Sequence, residues 1–141
     1  MTNRLLFSLI LLLSFQCLAA QDINFNKGSW NEMLTKSRTE NKLIFVDIYA
    51  VWCGPCKAMA KNVFTQSAVA NKFNTSFINY MLDAEKGEGI KLADKYQVAG
   101  FPTYLFVDSS GTVVYKIEGA LTAEKFIAEA DKALNKYKEG K

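Results

Sequence analysis

The fold is decided by residues 43–57, which read LIFVDIYAVWCGPCK. Residues 43–50 are apolar apart from Asp47 and rich in β-branched and aromatic side chains, which predicts a buried strand. Good helix formers follow the second cysteine, so Cys53 lies where a helix begins. Two cysteines at this spacing and junction can form a reversible dithiol and disulfide pair. We therefore expect Cys53 and Cys56 to be the active site.

The composition of the 141-residue chain indicates one globular domain, since half of its residues are hydrophobic, 22% are charged and only two are proline. Residues 1–20 differ, because Arg4 is their only charge and a short apolar run precedes small residues. This pattern predicts a signal peptide cleaved near Ala20, followed by one domain over residues 21–141. The apolar run is shorter than the ~20 residues of a membrane-spanning helix. We therefore expect an exported protein, periplasmic or secreted.

The alternative is that residues 1–16 are a lipoprotein leader and that the protein carries a lipid anchor on Cys17. Gln16 stands where lipoprotein processing prefers a small residue, so we do not favour the anchor. Without the leader, only the two cysteines of the CxxC motif remain, and no framework of structural disulfides explains them. The pair is therefore expected to carry chemistry.

The charge pattern predicts no nucleic-acid partner. The whole chain has a net charge of +3, and its basic residues are spread along the sequence without a stripe that would follow phosphates. The lysines near the C-terminus are typical of a solvated helix end. No segment requires a dimer, so we expect a monomer.

The remaining sequence predicts an α/β domain with a mixed sheet flanked by helices. Ser29 and Glu32 form a capping-box pattern at the start of the first helix, and Thr122 is a plausible N-cap of the last. A short turn between the last two predicted strands implies an antiparallel hairpin. The predicted helices cover residues 30–40, 57–64, 67–73, 90–96 and 122 onward, and the predicted strands cover residues 43–50, 76–83, 101–108 and 112–117.

These motifs together resemble the thioredoxin family. The resemblance rests on the buried Asp47, the Trp-Cys-Gly-Pro-Cys-Lys motif at residues 52–57 and the Gly-Phe-Pro-Thr segment at residues 100–103. It covers nearly all of residues 21–141 and implies the thioredoxin fold. Within the family, residues 62–73 look most like the exported thioredoxin-like domains of transmembrane thiol:disulfide interchange proteins.

Disulfide exchange requires a thiolate, and a cysteine of ordinary pKa is only about 3% ionised at pH 7. The helix N-terminus at Cys53 favours an anion and should lower the pKa of this thiol. Cys53 is then the nucleophile, and we expect it to be more exposed than the resolving Cys56. The resemblance implies that Asp47 accepts the proton of Cys56, directly or through water. Alternatively, Asp47 pairs with a lysine or caps a backbone group.

The substrate-binding residues are also carried over from the resemblance. Pro102 resembles the family's cis-proline, and the backbone of Phe101 would then pair with an extended substrate. Trp52 either flanks the active site or packs in the core. Gly54 and Pro55 set the backbone at the helix start, where proline costs no hydrogen bond.

Two positions depart from the family pattern. Lys61 stands where thioredoxins carry a proline in the helix after the motif, so no kink is expected from that cause. Asn79 stands where thioredoxin has a lysine near the buried aspartate. This second change puts the tuning of the proton transfer in doubt.

The predicted function is reduction of protein disulfides without a cofactor, because the Cys53–Cys56 pair itself carries the electrons. The Gly-Pro dipeptide resembles reducing thioredoxins, and a reductase outside the cytoplasm needs a membrane thiol:disulfide electron donor. The partners are then that donor and disulfide-containing proteins. Oxidative folding or isomerisation is the runner-up, and a redox-inactive binding module is a further alternative. A zinc site is not favoured, because such sites draw four ligands from Cys and His and the chain has no histidine.

Overall fold

The computed structural model describes residues 22–140, which form one α/β domain. The expected signal peptide and Cys17 lie outside the described residues. No helix within residues 22–140 is long and apolar enough to cross a membrane. In chain order the elements are α1 (Trp30–Glu40), β1 (Leu43–Tyr49), α2 (Gly54–Asn62), α3 (Ser67–Ser76), β2 (Phe77–Asp83), α4 (Glu88–Lys95), β3 (Thr103–Val107), β4 (Val113–Glu118) and α5 (Ala123–Glu139).

The sheet is mixed, as the sequence predicts, with its strands in the order β2-β1-β3-β4. β1 pairs parallel with β2 and antiparallel with β3, and β3 pairs antiparallel with β4. A tight turn joins β3 to β4, where the Asp108 carboxylate accepts the backbone N–H groups of Ser110 and Thr112 at 2.8 and 3.0 Å. β1 is therefore central, and the loop that follows it carries Cys53.

The core lies on both faces of the sheet, because every residue of β1 except Tyr49 is buried. On one face Phe45 packs edge-on against Phe73, with ring centroids 4.7 Å apart, and Phe73 stacks on Phe126 at 4.5 Å. Side chains alternate along a strand, so Asp47 points to the same side as Phe45. The other face holds a second apolar cluster that includes Trp30, Tyr80 and the aliphatic residues Ile44, Val46, Ile48, Leu105 and Val107.

The helix caps follow the sequence. The Ser29 N–H donates to the Glu32 carboxylate at 2.6 Å, and the Glu32 N–H donates to the Ser29 hydroxyl at 3.3 Å, so the predicted capping box is confirmed. The Thr122 hydroxyl accepts the Lys125 N–H at the start of α5. Such caps satisfy backbone donors that have no partner within the helix.

Several predicted boundaries were wrong by a few residues. β3 begins at Thr103 instead of residue 101, because Pro102 has no N–H to donate to a neighbouring strand. α2 ends at Asn62, two residues early, where the Val63 and Phe64 N–H groups both reach the Met59 carbonyl. The second of these bonds spans five residues and widens the last turn, and both apolar side chains lie in the core.

Residues 22–28, here called the N-terminal strap, are fastened to the edge strand β2. The Asn26 N–H donates to the Asn79 carbonyl at 2.8 Å, and the Asn79 side-chain amide donates to Asn24 O and Asn74 Oδ1 at 3.3 and 3.0 Å. The Tyr80 hydroxyl also donates to the Gly28 carbonyl at 2.8 Å. Asn79 therefore holds the N-terminal strap through both its backbone carbonyl and its side-chain amide.

Candidate active site

The two cysteines lie at the N-terminus of α2 and are joined by a disulfide bond. Cys53 is the N-cap, and its Sγ accepts the Cys56 backbone N–H at 3.1 Å. The first turn of α2 contains no acidic residue, so no side chain there offsets the positive end of the helix dipole. This environment favours a thiolate on Cys53 once the disulfide is reduced.

The sequence prediction of sulfur exposure was wrong. Both cysteines are buried in the disulfide form, and Cys53, with 3% of its surface exposed, is no more accessible than Cys56 with 8%. The reason is tertiary packing, because Cys53 lies in a small cluster with Ala50 against which Tyr49 and Phe101 pack. Assignment of the nucleophile therefore rests on the helix N-terminus and the donor to Sγ, and not on exposure.

Trp52 flanks the disulfide and does not pack in the core, which decides between its two predicted roles. It is 65% exposed, the highest value among the large hydrophobic residues of the described chain. Its indole N–H donates to Glu85 Oε1 at 2.9 Å, and its ring meets Phe101 edge-on with centroids 5.9 Å apart. Glu85 was not predicted as a site residue, because it is 33 residues from Trp52 in the chain and its sequence neighbours carry no signal of this contact.

The Gly-Phe-Pro-Thr segment at residues 100–103 lies beside the disulfide, where Phe101 packs against the cysteines. The Phe101–Pro102 peptide bond is cis, in line with the resemblance. Thr103 Oγ donates to the Gly100 carbonyl at 2.7 Å, and the Gly119 N–H donates to the Pro102 carbonyl at 2.8 Å, so the segment is held on both sides. Phe101 connects Trp52 to the disulfide, since its ring contacts Trp52 and it packs against the cluster that contains Cys53 and Cys56.

Asp47 is buried beneath the motif, with only 4% of its surface exposed. Its Oδ1 has no hydrogen-bond partner, and no lysine among residues 22–140 forms an ion pair with it. Burial raises the pKa of Asp47 from its ordinary value of 3.8 to about 7. Of the predicted alternatives, pairing with lysine is wrong. The residue opposite Asp47 on β2 is Met81, which corrects the expectation that Asn79 takes this position; Asn79 lies opposite Phe45, and its side-chain amide donates to Asn24 and Asn74.

Asp47 and Cys56 both line a pocket of about 280 Å³. Lys57 and Met81 also line it, and Met81 is the residue of β2 that pairs in register with Asp47. On the other side of Asp47, Tyr104 of β3 is its antiparallel partner, and burial together with the charge of Asp47 raises the pKa of the Tyr104 hydroxyl. The Asp47 carboxyl thus belongs to the central strand of the sheet and lines the same pocket as Cys56.

Residues 22–140 contain no group of three or more His, Cys, Asp or Glu side chains that could hold a metal. A Cβ at Gly54 would meet no atom within 4 Å, so space remains open beside the sulfurs, and Pro55 occupies the first turn of α2. The predicted residues therefore converge on one disulfide and its surroundings.

Comparison with known proteins gives a consistent picture. A family model described as a thioredoxin-like domain matches residues 30–134. Thioredoxin Y of rice, a chloroplastic protein, is 34% identical over 107 residues, which cover 76% of this chain and 58% of that protein. Thioredoxin H4 of Arabidopsis thaliana is 35% identical over 91 residues, or 64% of this chain and 71% of that protein. The chain thus spans little more than half of the rice relative.

Solved structures show the same likeness. The solution structure of a proposed disulphide-isomerase from Bacteroides thetaiotaomicron has a TM-score of 0.74 and 44% identity, covering 82% of this chain and 96% of that one. The oxidised C-terminal domain of DsbD from Neisseria meningitidis has a TM-score of 0.61 and 28% identity, covering 72% of this chain and 90% of that one.

Proposed function

Because the chain belongs to the thioredoxin family of thiol:disulfide oxidoreductases, we propose that it acts as an exported reductase of protein disulfides. The observation that carries this proposal is the Cys53–Cys56 disulfide at the N-terminus of α2, with a backbone donor on Cys53 Sγ and Asp47 buried beside Cys56. The reductive direction is supported by the Gly54-Pro55 dipeptide, which resembles reducing thioredoxins.

The reaction begins from the dithiol. The Cys53 thiolate attacks one sulfur of a substrate disulfide, so that a Cys53–substrate disulfide forms and the other substrate sulfur leaves as a thiolate. Cys56 then loses its proton and attacks Cys53 Sγ. The Cys53–Cys56 disulfide forms, and the second substrate thiolate leaves. Two electrons have passed from the cysteine pair to the substrate.

Asp47 is the proton acceptor for Cys56 in this proposal. A carboxyl with a pKa of about 7 exchanges protons readily at neutral pH, because its two forms are similarly populated. Its route to Cys56 is the pocket that both residues line. Neither a lysine nor a metal is required for this step.

The partners follow from the chemistry and the leader sequence. Each turnover leaves a disulfide that must be reduced again by an external dithiol, so a protein exported to the periplasm or secreted needs electrons from across the membrane. We assign this role to a membrane thiol:disulfide donor, and the substrates are disulfide-containing proteins. The functional unit proposed is a monomer that uses no other cofactor.

The redox state in the native compartment tests the direction. Rapid alkylation of whole cells should find Cys53 and Cys56 mostly reduced. The purified pair should have a potential near about −270 mV, as in thioredoxin, whereas oxidising and isomerising members lie near about −120 to −180 mV. Loss of the membrane donor should convert the pair to the disulfide. A mostly oxidised pair in wild-type cells would contradict the reductase.

Isomerisation is the second candidate, and one observation favours it. The Bacteroides structure with 44% identity is that of a proposed disulphide-isomerase. Refolding of scrambled ribonuclease separates the two functions. An isomerase restores activity in that assay, whereas a reductase only opens the disulfides.

The Trp52–Glu85 hydrogen bond leads to a prediction about substrate binding. Glu85→Ala should free the exposed indole, raise the KM for insulin about two- to fivefold and make the fluorescence anisotropy of Trp52 decay faster. Glu85→Gln should behave like the wild type, because its amide oxygen still accepts the indole N–H.

A double-mutant cycle provides the control. In a Trp52→Phe background, Glu85→Ala should have no further effect, because Glu85 acts through the indole. The exposed Glu139, near the end of α5, is the matched acidic control. Equal losses in Glu85→Ala and Glu85→Gln would show that the charge matters and the hydrogen bond does not.

A further inference from the structure

Exposed large apolar side chains are rare on this protein, and most of them adjoin the active site. Among residues 22–140 they are Val51, Trp52, Met81 and Ile90, which are 42–65% exposed. Val51 and Met81 both line the pocket that reaches Asp47 and Cys56, and Val51 precedes Trp52 in the chain. Exposed apolar residues that cluster in this way mark an interaction surface.

The size and lining of the pocket suit the binding of one apolar side chain. Its volume of about 280 Å³ is slightly below the roughly 300–1,000 Å³ of typical small-molecule sites. Its walls include Ala50, Val51, Ala60 and Met81, which are apolar, and Lys57 adds its aliphatic stem. Asp47 is the acidic group that lines it.

The position of the pocket shows which molecule can reach it. Cys56 belongs both to the pocket wall and to the disulfide, so a protein whose sulfur is bonded to Cys53 places its neighbouring residues close to the pocket. A small disulfide has no such residues. The position of the pocket therefore favours an occupant that is carried by a protein partner engaged at the disulfide.

We propose that the pocket lined by Val51 and Met81 receives an apolar side chain of the disulfide-bearing protein during exchange. This inference rests on the proposed function and extends it, because it adds an anchoring site for protein substrates next to the exposed side chain of Trp52. The docked side chain covers the two exposed apolar residues. It also separates Asp47 from bulk water while the sulfurs react, because that carboxyl lines the same pocket.

Neutral substitutions of similar size test the anchor. The double variant Val51→Thr, Met81→Gln makes the pocket polar without adding charge, and Ile90→Thr is the matched control at an exposed apolar residue that does not line the pocket. We expect the ratio of kcat/KM with insulin to kcat/KM with the aromatic disulfide DTNB to fall roughly tenfold in the double variant. The ratio should stay within twofold of the wild type in Ile90→Thr.

A trapped complex provides a second readout. A Cys56→Ser variant holds the mixed disulfide with a reacting protein, and the ¹³C-methyl resonance of Met81 should shift in this complex while those of the buried Met33 and Met59 move less. Failure to form any mixed disulfide would overturn the proposed reaction itself. A trapped complex with an unchanged Met81 resonance would overturn only the anchor. Equal ratios for the double variant and Ile90→Thr, or filling of the pocket by a second copy of the chain, would do the same.

Discussion

Replacing Cys53 with serine is expected to lower the rate of insulin reduction at least about a thousandfold, to background. A serine hydroxyl does not ionise near neutral pH, so the positive end of α2 has no thiolate to stabilise and no disulfide can be attacked. Dithiothreitol-coupled insulin precipitation measures the effect. The result matters because burial does not distinguish the two sulfurs, and only the helix N-terminus and the Cys56 N–H assign the nucleophile.

Cys56→Ser is the matched control for this experiment. It retains the nucleophile and its place at the helix N-cap, so a first attack on a substrate disulfide should occur and the mixed disulfide should persist. Turnover should be lost in both variants, but only Cys56→Ser should give a stable adduct. A persistent adduct in Cys53→Ser would reverse the two roles.

Replacing Asp47 with asparagine is expected to stabilise the protein by up to about 4 kcal/mol at and above pH 7. Burial raises the pKa of Asp47 to about 7, whereas the unfolded chain should titrate near 3.8. The folded state therefore binds the extra proton between these values, and stability must fall as pH rises from about 4 to 7. Below pH 4 both states are protonated and the contribution of the carboxyl is greatest; above pH 7 the full destabilisation remains.

Urea unfolding of the oxidised protein at pH 5 and pH 7.5 measures this linkage. The wild type should lose about 2.5 kcal/mol between the two, and Asp47→Asn should lose little. The chain has no histidine, so no imidazole titrates in this range. Asp94→Asn, at an exposed aspartate of α4, should retain the wild-type slope. A wild-type stability that does not change between these pH values would contradict the raised pKa.

The same substitution should slow catalysis. Without the carboxylate, Cys56 must lose its proton to water, and insulin reduction at pH 7 should fall about ten- to a hundredfold. Stability and activity thus change in opposite directions at Asp47. A buried group that costs stability and serves the reaction is typical of a functional site.

The features that could be predicted from the sequence are those determined by residues close together in the chain. α1 has the predicted bounds because its capping box lies within four residues, and β1 was found because its apolar run is long and rich in β-branched residues. The position of Cys53 at a helix start follows from the same local pattern. Asp47 stood out as a carboxylate within an apolar strand, and its burial was therefore predictable.

The remaining features depend on contacts between distant parts of the chain. Phe101 contributes to the burial of Cys53, and it comes from a loop 48 residues later in the sequence. The Glu85 carboxylate meets Trp52 through the loop after β2, and its sequence neighbours give no sign of this role. The expectation that Asn79 replaces the family lysine near Asp47 was wrong, because the strand register places Met81 opposite Asp47 and Asn79 opposite Phe45. The hydrogen bonds by which Asn79 holds the N-terminal strap could be found only in the tertiary structure.

The two outer strands of the sheet are shielded by different means. The N-terminal strap occupies the flank of β2, while β4 carries a charged pair, Lys116 and Glu118, 2.9 Å apart. Exposed strand flanks otherwise recruit loose strands from other molecules and initiate aggregation. Under the proposed function the protein binds disulfide-bearing chains, whose own unpaired strands would pair with such flanks. Both shields therefore oppose strand-to-strand association between the protein and its proposed substrates.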